Sequence, residues 1–315
     1  MPSFNLIQLQ YFCSVAETGS FAGASIRENV SATAIAASIS QLERGMKTQL
    51  CVRRRAHGVD LTPSGRLLLN EARALLRAAE EVDLTVAGQG EELVGPITVG
   101  CYPTFAPTLI PALIDEFAAL HPRVDVDFRI APQGALMELL GEGRIDLILV
   151  YDLNLPLDLQ GVVLYETPVH IIVGARHRLA GRGSVALAEL RDDPYVFFDS
   201  PPASNHAMEI FKDFGIRPNI RYRSEQYELT RALVARNLGY CMMIHRSRSK
   251  TSYEGLALAT LELEPAMPLE RVQVAWLRRT PLTTRAAAFT EFARDSVGKE
   301  QQRWFDSVRG VGDRG

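Results

Sequence analysis

This chain has little of what marks an enzyme, a secreted protein or a membrane protein. Only four cysteines occur among its 315 residues: Cys13, Cys51, Cys101 and Cys241. They are too scattered for a CxxC pair or a zinc ligand set. They read instead as small buried apolar side chains in a reducing, cytoplasmic protein. The six histidines do not recur at metal-ligand spacing. HExxH, GxSxG and GxxxxGK motifs are missing, so no enzymatic activity, metal or cofactor is expected. No apolar run approaches the roughly 20 residues of a membrane span. The opening "MPSFNLIQLQYF" lacks the basic start and apolar core of an export signal. Net charge is only −3, which excludes a uniformly basic coat for nucleic acid or an anionic membrane.

What is present is a chain with 47% hydrophobic residues, long enough for two or more domains. Within it, "SATAIAASISQLERG" reads as a helix with one face stripped. Ile35, Ile39 and Leu42 fall on a core stripe, whereas the other side carries only Ala32, Thr33, Ala36 and Ala37. Small side chains let a helix backbone approach a large partner, and a DNA major groove about 12 Å wide admits a helix on those terms. Ser31, Thr33 and Ser38 suit bases or phosphates, and Ala36 and Ala37 suit thymine methyls. Alanine's helix propensity alone, or burial against another helix, would give the same pattern. The flanks add weight: Arg53, Arg54 and Arg55 follow closely, where cations suit phosphates or the minor groove.

Periodicity places Leu6, Leu9, Phe12, Cys13 and Ala16 on one face of a first helix. Ser20 caps a second, which ends near Asn29, and Ser31 caps the third. The tight turn at "ENVS" makes the last two a helix-turn-helix. Leu50–Val52 and Val59–Leu61 read as the strands of a small wing. Thr62-Pro63 then opens a long helix. Its apolar stripe of Leu67, Leu68, Leu75, Leu76, Val82 and Val86 requires a partner along its length. After a hinge at Gly88–Gly95, strands at Ile97–Gly100, Val124–Ile130 and Asp146–Val150 alternate with helices near Phe105–Leu120 and Gly134–Glu142. That is an α/β pattern with a largely parallel sheet. A second α/β unit opens at "VHIIVGA", with strands in "PYVFFD", "NIRYRS" and "GYCMMI" and a helix in "QYELTRALVARN". "ERVQVAWLRR" returns to the first unit, and "TTRAAAFTEFARDSV" closes it.

The N-terminal stretch "LIQLQYFCSVAETGSFAGAS…VSATAIAASISQLE…QLCVRRRAHGVDLTPSGRLLL" resembles the DNA-binding domain of LysR-type transcriptional regulators. "GPITVG", "LIPALIDEFAALHPRVDV", "GRIDLIL" and "ALVARNLGY" resemble that family's effector-binding domain, so the likeness runs nearly end to end. The resemblance implies α/β architecture with an all-α-type winged helix-turn-helix at the N-terminus and a two-lobed, periplasmic-binding-protein-like α/β domain after it. The domains expected are 1–62 for DNA, 63–90 for a dimerising linker helix, 91–300 for the effector and 301–315 as a tail. Lobe I covers about 95–165 and 268–297, and lobe II about 166–267. The partners implied are double-stranded promoter or operator DNA, a small-molecule effector and further copies of the chain, as a dimer of dimers. A solute-binding protein or an enzyme on the same two-lobed fold is the alternative reading. Another is a diverged member whose DNA domain serves assembly.

By resemblance, Ser31, Ala32, Thr33, Ala36, Ala37 and Arg53 touch DNA. The chain departs from the family at Ser25 and at Glu28, where Leu is usual, so Ile26 or Val30 is expected to fill the turn. Lys47 stands for a usual Gly, and Cys51 for a Phe. Ala32-Thr33 and Ala36-Ala37 replace common polar pairs, which shifts weight to DNA shape and phosphates. The effector is expected between the lobes at strand C-terminal ends. Candidates are Cys101, Tyr102, Pro103 and Thr104 after the first strand, Gln133 after the second, and Tyr151 and Asp152 after the third. Phe198, Asp199, Ser200, Gln226 and Tyr227 come from the second lobe. Helix starts at Thr104 and Gln133 favour an anionic group, typically a carboxylate. Thr104 as a plain N-cap and the aromatics as lobe packing is the other reading of the same residues.

Overall fold

A computed structural model describes residues 3–54, 58–87 and 92–309. The DNA-binding domain is built from α1 (Leu6–Thr18), α2 (Phe21–Glu28) and α3 (Ala32–Met46). Asn5, Ser20 and Ser31 each accept a first-turn backbone N–H, satisfying donors the helix cannot. Leu9, Phe12, Val15, Ala24, Ile35 and Leu42 are fully buried between the three helices. α2 and α3 end on left-handed Asn29 and Lys47, both at φ 53°. Lys47 therefore occupies a conformation that costs a non-glycine residue about 1 kcal/mol.

The turn departs from expectation in one respect. Val30 packs on the domain core, but Ile26 is 83% exposed and fills nothing. Glu28 itself is paired: Gln10 Nε2 donates to it at 2.6 Å, and Ser14 Oγ donates to its other oxygen. The wing consists of β1 (Cys51–Arg54) antiparallel to β2 (Gly58–Leu61). It is tied down where Val59 N–H donates to the Gly19 carbonyl at 2.7 Å. A Cβ on Gly58 would stand 2.2 Å from that oxygen, so only glycine fits there.

The linker helix α4 (Pro63–Ala87) starts on Thr62, whose Oγ1 accepts the Gly65 N–H. Its expected single stripe is two faces. Leu68, Leu69, Ala72 and Leu76 pack into the DNA-domain core. Leu67, Leu75, Val82 and Val86 are 64, 44, 62 and 76% exposed.

Lobe I is a five-stranded sheet in the order β4-β3-β5-β13-β6. Its strands are β3 (Gly95–Cys101), β4 (Val124–Ile130), β5 (Leu147–Tyr151), β6 (Leu159–Pro168) and β13 (Leu269–Leu277). The first three are parallel. β13 runs antiparallel to both β5 and β6, so the sheet is mixed. α5 (Ala106–Leu120), α6 (Gln133–Gly141) and α9 (Thr284–Ala293) cover it. β6 went unread in the sequence because its polar residues break the apolar alternation. Lobe II holds β7 (His170–Gly174), β8 (Ser184–Ala186), β9 (Pro194–Phe198), β10 (Asn219–Ser224), β11 (Cys241–Met243) and β12 (Leu258–Glu264). β9 and β10 pair in parallel, while β11 and β12 flank β7 antiparallel. α7 (Ala203–Asp213) and α8 (Tyr227–Ala235) follow β9 and β10.

The described part of the expected C-terminal tail is helical: α10 (Lys299–Arg309) docks with Phe305 2% exposed and 5.5 Å from the Tyr165 ring. Among the described residues, no helix is long and apolar enough to cross a membrane.

Candidate DNA-binding face and effector cleft

α3 turns Ile35, Ile39 and Leu42 inward at no more than 2% exposure. Ser31, Ala32, Thr33 and Ala37 are exposed, and Ala36 and Ser38 are half-buried. Ser31, Ala32, Thr33 and Ala37 are therefore not covered by the described residues, and these side chains are too short to hold a groove wall away. Arg53 and Arg54 have their backbones in β1, opposite Val59 and Gly58. Arg55 lies outside the described residues.

The C-terminal ends of β3, β5, β9 and β10 meet between the lobes. Tyr102, 0% exposed, crosses from lobe I and donates its hydroxyl to the Ser200 carbonyl at 2.9 Å, with Ser200 Oγ at 2.8 Å. Burial pushes its phenol up to about 12. Tyr151 and Phe105 stack edge-on at 4.6 Å, and Tyr151 OH lies 3.5 Å from Thr104 Oγ1. Phe105 then meets the His245 ring at 5.9 Å, and His245 meets Tyr227 at 5.3 Å. Phe198 closes the row 6.1 Å from Tyr227. An aromatic wall thus runs from one lobe into the other.

Of the sequence candidates, Tyr102, Thr104, Tyr151, Phe198, Ser200 and Tyr227 come together here. Gln133 is 3% exposed and donates through Nε2 to the Leu153 carbonyl at 3.0 Å. Cys101 is fully buried below, its thiol raised by burial, and Pro103 is half-buried. Asp152, Asp199 and Gln226 contribute no side chain to this cluster. Asp152 lies 3.9 Å from Arg271 and 3.5 Å from Gln273 Nε2; Asp199 is 3.4 Å from Arg223; Gln226 is exposed. Each carboxylate keeps a cation and water, which burial in the cleft would remove.

Thr104 is not an N-cap. The helix starts at α5, α6, α7 and α8 all lack a side-chain cap, whereas α1, α2, α3 and α9 have one. Backbone N–H groups with partial positive charge remain at these starts, although Pro107 offers none at α5 and the Thr108 and Ser204 N–H groups already donate to the Phe105 and Ser200 carbonyls. Sequence reading missed Phe105, Ser204 and His245. Ser204 joins through its N–H, donated to the Ser200 carbonyl at 3.2 Å. His245 follows β11, which carried no polar signal. Burial, reinforced by Arg231, lowers its pKa to about 3, so it is neutral. Of the six buried side-chain atoms that lack a hydrogen-bond partner among the described residues, three belong to cleft-facing segments: Gln133 Oε1, Ser204 Oγ and His245 Nδ1. Buried atoms of this kind are uncommon, and water or a ligand can satisfy them.

Comparison with known proteins agrees with both halves. Residues 6–66 match the bacterial regulatory helix-turn-helix family of lysR type, and residues 90–298 match the LysR substrate binding domain. The C-terminal domain of a probable LysR family regulator from Rhodococcus is 39% identical, covering 64% of this chain and 99% of that one, with a TM-score of 0.62. HinK, a LysR family transcriptional regulator from Pseudomonas aeruginosa, is 29% identical over 94% of this chain and 99% of its own, at a TM-score of 0.63. A hydrogen peroxide-inducible genes activator from Haemophilus influenzae is 26% identical over 76% of this chain and 79% of its own. A stripped recognition helix beside a wing, a linker helix and a two-lobed effector domain in one chain place this protein in the LysR family of DNA-binding transcriptional regulators.

Proposed function

We propose that this regulator answers to a small organic acid bound between its lobes in the cytoplasm. The observation that carries this reading is the set of three orphaned buried atoms, Gln133 Oε1, Ser204 Oγ and His245 Nδ1, beside an aromatic wall and four uncapped helix starts. Backbone N–H groups at helix starts take a carboxylate. Gln133 Oε1 accepts from a ligand hydroxyl or amine, and the aromatic row takes an apolar body. Ser31, Ala32, Thr33, Ala36, Ala37 and Ser38 meet the major groove, and the wing arginines meet phosphates.

The name of the Haemophilus relative favours a second reading, peroxide sensing. The cysteines oppose it. All four are buried and outside any disulfide. Burial raises the thiols of Cys13 and Cys241 to about 11 and 12. A thiol reacts with peroxide as its thiolate, which these surroundings suppress.

The test is a thermal-shift panel of hydroxy, aromatic and dicarboxylic acids, run beside hydrogen peroxide. An acid at a hundred times its Kd adds about 2.7 kcal/mol, and Thr104→Val should weaken that shift. If no acid moves the melting curve while peroxide oxidises a cysteine and alters DNA binding, the organic-acid reading fails.

The free face of α4 fits a second copy of the chain, with Leu67, Leu75, Val82 and Val86 meeting their equivalents. Leu75→Glu with Val82→Glu puts desolvated charge on that seam. The expected result is a smaller mass by light scattering with an unchanged far-ultraviolet spectrum. Leu68, which packs into the DNA domain, is unsuitable for this test. An unaltered mass would mean that assembly uses another surface.

A further inference from the structure

The DNA-binding domain and lobe I are separated by a crevice of about 1270 Å³, half of whose lining residues are charged. Few groups span it, and two of them lie on α4. Arg73 is 8% exposed. One of its amines donates to the Glu142 carbonyl at 2.7 Å and the other to Glu17 Oε1 on α1 at 2.9 Å. Glu17 in turn pairs with Arg27 on α2. One turn on, Arg77 donates to the Gly143 carbonyl and lies 3.7 Å from Asp146. Glu142 is the C-cap of α6 and Gly143 follows it, at the end where helix carbonyls carry partial negative charge. The approach is close, and the left-handed backbone at Gly143 favours glycine there. A Cβ on Gly143, at φ +64°, would stand 3.0 and 3.1 Å from the Arg77 amines and 3.3 Å from Arg73 Cβ.

The other end of α6 is Gln133, whose Oε1 is buried without a partner and whose Nε2 donates to the Leu153 carbonyl beyond β5. Leu136 and Leu140 seat the helix on its sheet at 0 and 3% exposure, so its nine residues move together as one rod, roughly 13 Å long. The far half of α4 is fixed to lobe I separately. Glu81 accepts from Arg285 at 2.6 Å and from the Thr284 N–H at 2.7 Å.

We infer that Arg73 is the positioning residue through which α6 sets the stance of the DNA-binding domain on lobe I. It grips the carbonyl of Glu142, the C-cap of α6, with one amine and the first DNA-domain helix with the other. Displacement of Gln133 along α6 is then passed to α1 without a change in the DNA-binding residues. The inference rests on the cleft being the effector site.

Coupling between two sites is reciprocal, so it can be tested from the DNA side with no effector. Full-length protein is saturated with a duplex carrying the region upstream of its own coding sequence. Amide hydrogen exchange is then followed over residues 133–143. In the wild type, DNA should change exchange there by about fivefold or more. Arg73→Met removes both bonds. Arg73→Lys keeps the charge but lacks the fork that reaches two acceptors, and serves if Arg73→Met does not fold. In either variant the α6 response should vanish while the duplex still binds. A response that persists in the variants overturns the assignment, as does a wild type that binds the duplex with α6 unmoved. Failure to bind any duplex at low salt overturns the DNA-binding reading along with it.

Discussion

Ala37→Glu should abolish specific DNA binding and leave the fold intact. Ala37 is exposed one turn after Thr33, on the same face of α3. Glutamate is a good helix former, so the helix itself loses little. Its carboxylate would meet a phosphate-lined groove, and like charges forced together across an interface cost several kcal/mol. About 3 kcal/mol, or more than a hundredfold in affinity, is the expected loss. Fluorescence anisotropy at fixed salt measures it, with a thermal melt to show that the variant is folded. Ala37→Gln, of similar size without the charge, separates bulk from repulsion. Binding within about threefold of the wild type would mean that this face does not enter the groove.

The second large effect is a loss of stability in mild acid. His170 and His245 are 1 and 6% exposed. Burial is the main cause that brings both to a pKa of about 3, with Arg246 adding to it at His170 and Arg231 at His245. Both stay neutral in the folded chain, while in the unfolded chain they titrate near 6.5. The unfolded state therefore binds more protons throughout the window from about pH 6.5 down to 3. Stability is full above 6.5 and falls as pH falls. Each histidine costs about 1.4 kcal/mol per pH unit within that window, so pH 5 should be less stable than pH 7 by on the order of 4 kcal/mol. His206 works against this. Its bond to Glu270 raises its pKa, so its contribution is present in acid and fades as pH rises through the raised value. Carboxylates held low, such as Glu17 and Glu81, lose their contribution only below about pH 4.5. Urea midpoints followed by circular dichroism at pH 7, 6 and 5 test the sum. His170→Gln and His245→Gln should each flatten the profile. A flat wild-type profile, or Gln variants with the wild-type slope, would show that the two rings are not buried neutral.

The local elements were legible in the sequence because short-range chemistry decides them. Ser20, Ser31 and Thr62 cap helices wherever a first turn has donors to satisfy. Ile35, Ile39 and Leu42 had to face a core because they share one side of a helix. Alternation of strand and helix from Ile97 to Val150 required a sheet with helices packed on it. The bare side of α3 was visible as bare, and its freedom from packing followed once the other side was committed.

What the sequence left open depends on groups far apart in the chain. Glu28 looked costly until the fold brought Gln10 and Ser14 to it. The α4 stripe divided into a buried and a free half only because α1 covers one side. Asp152 and Asp199 follow cleft strands, yet Arg271 and Arg223 draw them out, since a carboxylate stays where a cation and water remain. His245 and Ser204 join Tyr102 and Phe105 because two lobes close on each other, and nothing in either segment announces the other. The bond from Arg73 to Glu142 spans 69 residues. Periodicity and capping act over a few residues, so they fixed the elements of this protein; desolvation and charge pairing act between elements, so only the tertiary structure decided which polar groups are satisfied and which are left without a partner.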